Sequence, residues 1–171
     1  KTKLLGVLKS SPKIRNQVTA HKGSKLPPVR RGSRFIWPLN GKLISSFGAK
    51  GNGLHNDGIN IVAPMGTAVR AAGSGVVAYA GNELRGFGNL LLIKHGKGWV
   101  TAYAHNKTLI VRRGEKVRRG QVIAHVGNSG NVSRPQLHFE IRRGNKAVDP
   151  IVSISRKKRS RANVKVSVSK R

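Results

Sequence analysis

The sequence predicts an all-β fold, a compact β-sandwich or open barrel, with basic segments on either side. Two observations support this class. Between residues 35 and 152, short apolar or alternating stretches recur, and glycine stands at nearly every reversal between them. No stretch has the length and 3.6-residue period of an amphipathic helix. Many short strands separated by turn residues are typical of antiparallel sandwiches and barrels.

The strands are expected in a regular succession along the domain. An entry strand and turn are predicted at 35–38 and a second strand at 43–47, after which the glycines at 48 and 51–53 indicate a loop. Further strands are predicted at 68–72, 75–80, 89–94, 99–105, 109–111, 121–126 and 137–142.

Charge divides the 171 residues into three parts: a basic linker at 1–34, a globular domain at 35–152 and a basic C-terminal tail at 153–171. The linker holds ten Lys or Arg and the tail eight, without an acid, so the domain carries all five acids of a chain with net charge +29. This charge implies polyanionic surroundings: nucleic acid, anionic lipid or an anionic wall polymer. The linker could be a nucleic-acid arm, but it lacks the interleaved aromatics that bind single strands, which favours a tether.

Cysteine and hydropathy exclude several classes. The chain has no cysteine, so it can form neither a disulfide framework nor a thiolate zinc site. No apolar run approaches the roughly 20 residues of a membrane span, and no signal-peptide pattern follows Lys1. We expect a trimmed product whose targeting signal lies upstream.

Two stretches carry residues that could bind a metal. His55 and Asp57 lie in the first, and His138 lies in an alternating stretch at 135–142. These three are a plausible zinc set, because imidazole and carboxylate are common zinc ligands. Side chains alternate between faces in an extended chain, so Asn56 and Asn60 would share the face opposite His55 and Asp57. Which pair looks into the site depends on the register.

The segment from Trp37 to Pro150 resembles a LytM domain, the lysostaphin-type zinc metallopeptidase fold. The resemblance rests on five motifs in the family's order: Gly-Ile-Asn-Ile-Val-Ala-Pro-Met-Gly-Thr at 58–67, Gly-Phe-Gly-Asn at 86–89, Tyr-Ala-His at 103–105, Gly-Asn-Ser-Gly at 127–130 and Leu-His-Phe-Glu at 137–140.

Active members of that family hold zinc with the His and Asp of a His-x-Gly-x-Asp pattern and with the second His of a His-x-His pattern. Aligned on Gly58, the resemblance puts Asn56 and Asn60 at the first two ligand positions and keeps only His138 as the third. The family's catalytic histidines fall on His105 and Gln136. The resemblance therefore implies no catalytic residue and no cofactor, and a binding groove lined by Asn56, Asn60, His105, Gln136 and His138.

The alternative is an active zinc metalloendopeptidase that cleaves peptidoglycan cross-bridges. It requires the loop to slip by one residue, so that His55, Asp57 and His138 become the ligands. A slip of this kind turns every side chain to the other face, whereas Gly58 and its neighbours match the family without a gap. Neutral amides are poor zinc ligands beside imidazole or carboxylate, so the unslipped register predicts an inactive site.

Within the family the chain is most similar to the degenerate NlpD-like and EnvC-like activators, on the run at 79–89 and on Ala-Tyr-Ala-His-Asn at 102–106. The resemblance implies a catalytically inactive domain that activates a cell-wall N-acetylmuramoyl-L-alanine amidase, binds peptidoglycan and promotes septal wall splitting. It implies the periplasm or the inner face of the outer membrane of a Gram-negative bacterium, with the anchoring signal upstream of this segment. Such activators often carry a peptidoglycan-binding LysM module and a lipoprotein signal. Anionic envelope polymers are the other expected partners, nucleic acid is not expected, and a plain wall-binding module is a third reading.

Overall fold

The computed structural model describes residues 24–28 and 31–154. Its strands are β1 (Ser24–Lys25), β2 (Lys42–Ser45), β3 (Gly48–Gly51), β4 (Leu54–Asn56), β5 (Ile59–Val62), β6 (Ala68–Arg70), β7 (Gly75–Gly81), β8 (Asn89–Lys94), β9 (Trp99–Leu109), β10 (Lys116–Val117), β11 (Val122–Val126), β12 (Gln136–Arg143) and β13 (Lys146–Val148). A 3-10 turn (Arg85–Phe87) and one short helix, α1 (Pro150–Ile154), complete the described part. Most of the predicted linker and tail lies outside the described residues.

Eleven of the strands in the described residues form one open antiparallel sheet, which confirms the all-β prediction. Its path runs β1-β2-β5-β12-β9-β8-β7-β10, with β13 on β12 and with β11 joining β6 to β9, while β3 and β4 form a separate hairpin. None of the helices in residues 24–28 and 31–154 is long and apolar enough to cross a membrane.

Three local predictions were wrong. The stretch at 35–37 is not a strand, because Phe35 is a core side chain and the Ile36 amide makes a single bond to the Ala72 carbonyl at 2.9 Å. The strands predicted at 99–105 and 109–111 form the continuous β9 through Leu109. The glycine-rich loop near residue 50 contains the β3–β4 hairpin, and α1 was not anticipated.

The sheet buries apolar residues on both faces. The larger cluster includes Phe35, Ile59, Leu137 and Phe139, and the smaller one is built on Leu90, Leu92, Ala102 and Ala104 with Leu84 and Phe87 packed against it. Strand β12 contributes its odd-numbered side chains to the larger cluster. Its even-numbered side chains lie on the other face, beside the smaller cluster.

Gly58 lets the chain between β4 and β5 pass directly over β12. A Cβ at this position would overlap the carbonyl oxygen of Phe139 and lie 2.9 Å from Glu140 Cγ. No L side chain fits there without moving the backbone. The absence of a side chain at Gly58 therefore fixes how closely β4 and β5 approach β12.

We expect Gly58→Ala to destabilise the fold by about 1 to 3 kcal/mol, because the added methyl group forces backbone apart in a packed region. Gly86→Ala is the matched control, since its Cβ would have only Asn131 Nδ2 within reach, at 4.0 Å. Urea unfolding of both variants measures the difference. Equal stabilities for the two variants would contradict the close approach.

Candidate functional site

The site is assembled by the pairing of β5 with β12. Asn60 stands directly opposite His138, and Gln136 lies opposite Val62 on the same pair of strands. Residues directly opposite each other in an antiparallel pair project to the same face. Asn60, Gln136 and His138 therefore meet on one face of the sheet, as the unslipped register predicts.

Three amide side chains form a hydrogen-bonded row, which we call the amide chain: Asn56, Asn60 and Gln136. The Gly58 amide donates to Asn56 Oδ1 at 3.0 Å, so Asn56 Nδ2 faces the other way and donates to Asn60 Oδ1 at 2.9 Å. Asn60 Nδ2 in turn donates to Gln136 Oε1 at 2.9 Å. One backbone N–H thus sets the orientation of all three amides, because each oxygen must face the preceding donor.

The amide chain is tied at one end to strand β2 and at the other to the loop before β12. Asn56 Nδ2 also donates to Ser45 Oγ at 2.8 Å, and Gln136 Nε2 lies 3.4 Å from the Arg134 carbonyl oxygen. Asn60 Oδ1 has a second neighbour, His138 Nδ1, at 3.4 Å. The amides therefore use their polar atoms on one another and on the protein around them.

A charged row continues from the other nitrogen of His138. Its Nε2 donates to Glu140 Oε1 at 2.9 Å, and Glu140 Oε2 accepts from Arg142 Nη1 at 2.7 Å. Glu140 and Arg142 are fully buried beside His138, because residues two apart in β12 share a face. Burial raises the pKa of the Glu140 carboxyl, but the hydrogen bond from His138 and the charges of His138 and Arg142 outweigh it, so the pKa is lowered.

Asp57 and His55 lie at the outer end of this charged row. Arg142 Nη1 is 3.4 Å from Asp57 Oδ2, and Asp57 Oδ1 is 2.9 Å from His55 Nδ1. His55 is exposed, so the row runs from the buried strand to the surface. The described residues contain no group of three or more His, Asp or Glu side chains arranged to hold a metal ion. Of the alternative set, His55 and Asp57 contact each other, whereas the two nitrogens of His138 face Asn60 and Glu140.

His105 approaches His138 from β9 with its backbone in the left-handed region, at φ 66°. The two rings are 6.2 Å apart. His105 Nδ1 donates to the Ser129 carbonyl at 2.8 Å, since a carbonyl can only accept, and Nε2 has no partner among the described residues. Burial, and then the charge of His138, lower the pKa of His105 to about 4, against the raising effect of the Ser129 bond.

Asn56, Asn60 and His138 stand at the positions where the resemblance places zinc ligands. Of the three positions where the resemblance places ligands, two hold neutral amides whose oxygens already accept hydrogen bonds, Asn56 from Gly58 and Asn60 from Asn56. His138 Nε2 is bonded to Glu140, and its other ring nitrogen, Nδ1, faces Asn60 Oδ1. Zinc sites need several imidazole, thiolate or carboxylate ligands with free lone pairs. These residues therefore do not fit the ion.

All five predicted groove residues are brought to one region, but their side chains are buried. Their exposed fractions are 4% or less for Asn56, Asn60, His105, Gln136 and His138. Phe87 covers His138 at 6.2 Å between ring centroids, and Gly86 accepts a backbone bond from Asn131. A partner that reaches this site meets the loops at 84–88 and 127–135 first, and we call these two loops the rim.

Sequence reasoning missed several residues that hold the site in place. Ser45 and the Gly58 amide act on Asn56, and the Ser129 hydroxyl donates to the Asn106 carbonyl and accepts from the Asn89 amide. The pairing of Glu140 with Arg142, in contrast, could be predicted from their Glu-x-Arg spacing, and the two side chains meet at 2.7 Å. The contacts of Ser45, at the end of β2, and of Ser129, in a loop, join segments that are apart in sequence, and nothing in the local sequence predicts them.

His105 should make stability depend on pH below neutrality. With a pKa of about 4 in the folded chain and 6.5 ordinarily, it stays neutral while the unfolded chain gains a proton. Above about pH 6.5, His105 therefore does not change the free energy of unfolding. As the pH falls from there to about 4, the free energy of unfolding decreases by a total on the order of 3 kcal/mol.

His105→Asn removes this titration and keeps a residue type that tolerates positive φ. We expect urea unfolding at about pH 7 and about pH 4.5 to show a smaller loss of stability on acidification for the variant than for the unmodified chain. Equal losses in the two proteins would contradict the buried, neutral state of His105.

Comparison with known proteins places these features in a family. The model of peptidase family M23 matches residues 54–150. The chain is 53% identical over 109 residues to cell division protein DipM of Caulobacter vibrioides, covering 64% of this chain and 18% of DipM. It is 48% identical over 119 residues to murein hydrolase activator NlpD of Escherichia coli, covering 70% of this chain and 31% of NlpD.

A solved structure shows the same fold. The catalytic domain of lysostaphin from Staphylococcus simulans superposes with a TM-score of 0.60 at 30% identity, covering 66% of this chain and 90% of that domain. The chain spans less than a third of the length of the two curated relatives. Because the family model matches more than half of the residues of this chain, the chain belongs to peptidase family M23, the family of LytM-type domains.

Proposed function

We propose that this chain activates a murein hydrolase of the cell-wall amidase class and has no peptidase activity of its own. The observation that carries the proposal is the amide chain, in which Asn56 and Asn60 occupy two ligand positions and are hydrogen-bonded to each other at 2.9 Å. Without a bound metal the site has neither a Lewis acid nor a water of lowered pKa. Its buried polar atoms serve the fold.

The activator role is supported by the printed names of the relatives, a murein hydrolase activator and a cell division protein. On this basis we propose that the chain stimulates an N-acetylmuramoyl-L-alanine amidase and takes part in septal wall splitting. Such a role places the protein in the bacterial envelope, where murein is. The net charge of +29 agrees with residence on an anionic polymer.

Activation is proposed to be a shift between two states of the amidase. The amidase alternates between a closed form, blocked by its own inhibitory element, and an open form, and the activator binds the open form more tightly. A shift from mostly closed to mostly open requires a preference of several kcal/mol. A rigid docking surface supplies that preference at a low entropic cost.

The rim is the proposed docking surface, because it covers the site and is accessible. Arg85 and Arg134 are exposed on its two loops. Arg85 opens the 3-10 turn that ends at Phe87, which covers His138, and the Arg134 carbonyl faces Gln136. Asn60 and Gln136 are too buried to touch a partner while the rim is in place. Variants there would report on folding as well as on docking.

We expect Arg85→Glu/Arg134→Glu to reduce stimulation of the amidase at least tenfold, because charge reversal places repulsive groups in the docking surface. Release of dye from labelled sacculi by a cognate amidase measures it. Arg112→Glu/Arg113→Glu makes the same change of charge on the turn before β10, at the far edge of the sheet from β12, and should keep stimulation within about twofold.

Three outcomes would contradict the proposal. If the Arg85/Arg134 variant stimulates the amidase as well as the unmodified chain does, the rim is not the docking surface. If both double variants lose stimulation equally, the loss reflects the net charge of the chain and not a contact at the rim. Dye release by the unmodified chain alone would show peptidase activity and establish the active alternative.

A further inference from the structure

A second cluster of functional groups lies at the other end of β12. Arg143 stands opposite Trp99 in β9 and opposite Lys146 in β13, so the three side chains share one face of the sheet. Arg34 joins them from the segment before Phe35. We call Trp99, the two arginines over its ring, Arg34 and Arg143, and the neighbouring Lys146 the Trp99 cation cluster.

The indole of Trp99 holds two of these cations in place. The guanidinium carbon of Arg34 lies 5.9 Å from the ring centroid and that of Arg143 lies 5.5 Å from it, both within cation–π range. The ring itself packs edge-on against the buried Phe35, with centroids 5.7 Å apart. The packing of Trp99 on Phe35 therefore fixes the position of both guanidinium groups. Arg34, Arg143 and Lys146 are all exposed to solvent.

Within residues 24–28 and 31–154, no carboxylate forms an ion pair with Arg34, Arg143 or Lys146. All five Asp and Glu residues lie in the described part, and those that form ion pairs there, Asp57 and Glu140, pair with Arg142 and histidines. Like charges directly opposite each other on adjacent strands, as in Arg143 and Lys146, destabilise a sheet. An anion bound among the three cations would remove this repulsion.

We propose that the Trp99 cation cluster binds the carboxylate groups of murein peptides and so attaches the domain to the wall. Guanidinium groups match the geometry of carboxylates and bind them through two parallel hydrogen bonds. This inference rests on the proposed function, which requires the domain to work on murein. Single-stranded nucleic acid fits less well, because its binding surfaces stack successive bases on several aromatic rings and this cluster offers one half-buried indole.

The position of the cluster suits a domain that binds two partners together. Strand β12 runs from Gln136, at the first site, to Arg143, seven residues later. At about 3.3 Å per residue, the two ends are about 23 Å apart. The domain can therefore hold the wall at one end and present the rim to the amidase at the other.

Pelleting of the full chain with purified sacculi tests the cluster. We expect Arg143→Gln/Lys146→Gln to weaken binding roughly 3- to 10-fold, as the loss of two exposed charge contacts implies. The matched control is Arg112→Gln/Arg113→Gln, which removes the same charge from an exposed turn and should change binding less than twofold. Measurements at physiological and at higher salt reduce the background from the other basic residues.

Two further arms identify the ligand. Sacculi whose carboxylates are converted to neutral amides should bind the unmodified chain and the Arg143/Lys146 variant equally. Duplex DNA and anionic vesicles should not distinguish this variant from its control. Lys146→Gln alone should keep or raise the melting temperature while it weakens sacculus binding, because it relieves repulsion from Arg143 without disturbing the indole contact.

The proposal is overturned if both double variants lose sacculus binding equally, or if amidated sacculi still distinguish them. The same selective loss on DNA or vesicles would make the cluster a general anion site and remove murein as its ligand. If the unmodified chain does not stimulate the amidase but the Arg143/Lys146 variant selectively loses sacculus binding, the activator function is contradicted and the wall-binding site is supported.

Discussion

The hydrogen bond from the Gly58 amide to Asn56 Oδ1 is the contact on which the candidate site depends. Strand β12 is buried on both faces, and its even-numbered residues are polar, so each needs partners inside the protein. The Gly58 bond orients Asn56, which orients Asn60 and then Gln136. Because Gly58 has no Cβ, the backbone can come close enough to β12 for this order to form.

A consequence of this order is that the polar atoms at the positions where the resemblance places zinc ligands are already paired. Asn60 Oδ1 accepts from Asn56 and faces His138, while the second nitrogen of His138 is bound to Glu140. A buried network whose members are satisfied contributes to the fold, whereas a half-satisfied one costs stability. Three buried side-chain atoms lack partners within the described residues: His105 Nε2, Asn106 Oδ1 and Arg142 Nε.

Much of the fold and of the site could be predicted from sequence, and the limits have physical reasons. Strand alternation and turn glycines predicted β12 and most of β9, whereas β5, the other strand that assembles the site, was not among the predicted strands. The resemblance, aligned on Gly58, put Asn56 and Asn60 in the site, and the two side chains are hydrogen-bonded to each other. The stretch at 35–37 was misread because a buried Phe35 gives the same local pattern as a strand. Burial of the groove residues was not foreseen, because it depends on Phe87 and on loops distant in sequence.

The central claim, that paired amides occupy the position where active relatives hold zinc, is tested most directly by metal analysis of protein purified without chelator. The account predicts far less than one zinc per unmodified chain after dialysis, and close to one per chain for Asn56→His/Asn60→Asp, which restores the family's ligand types beside His138. Stoichiometric zinc that survives dialysis in the unmodified chain would contradict it.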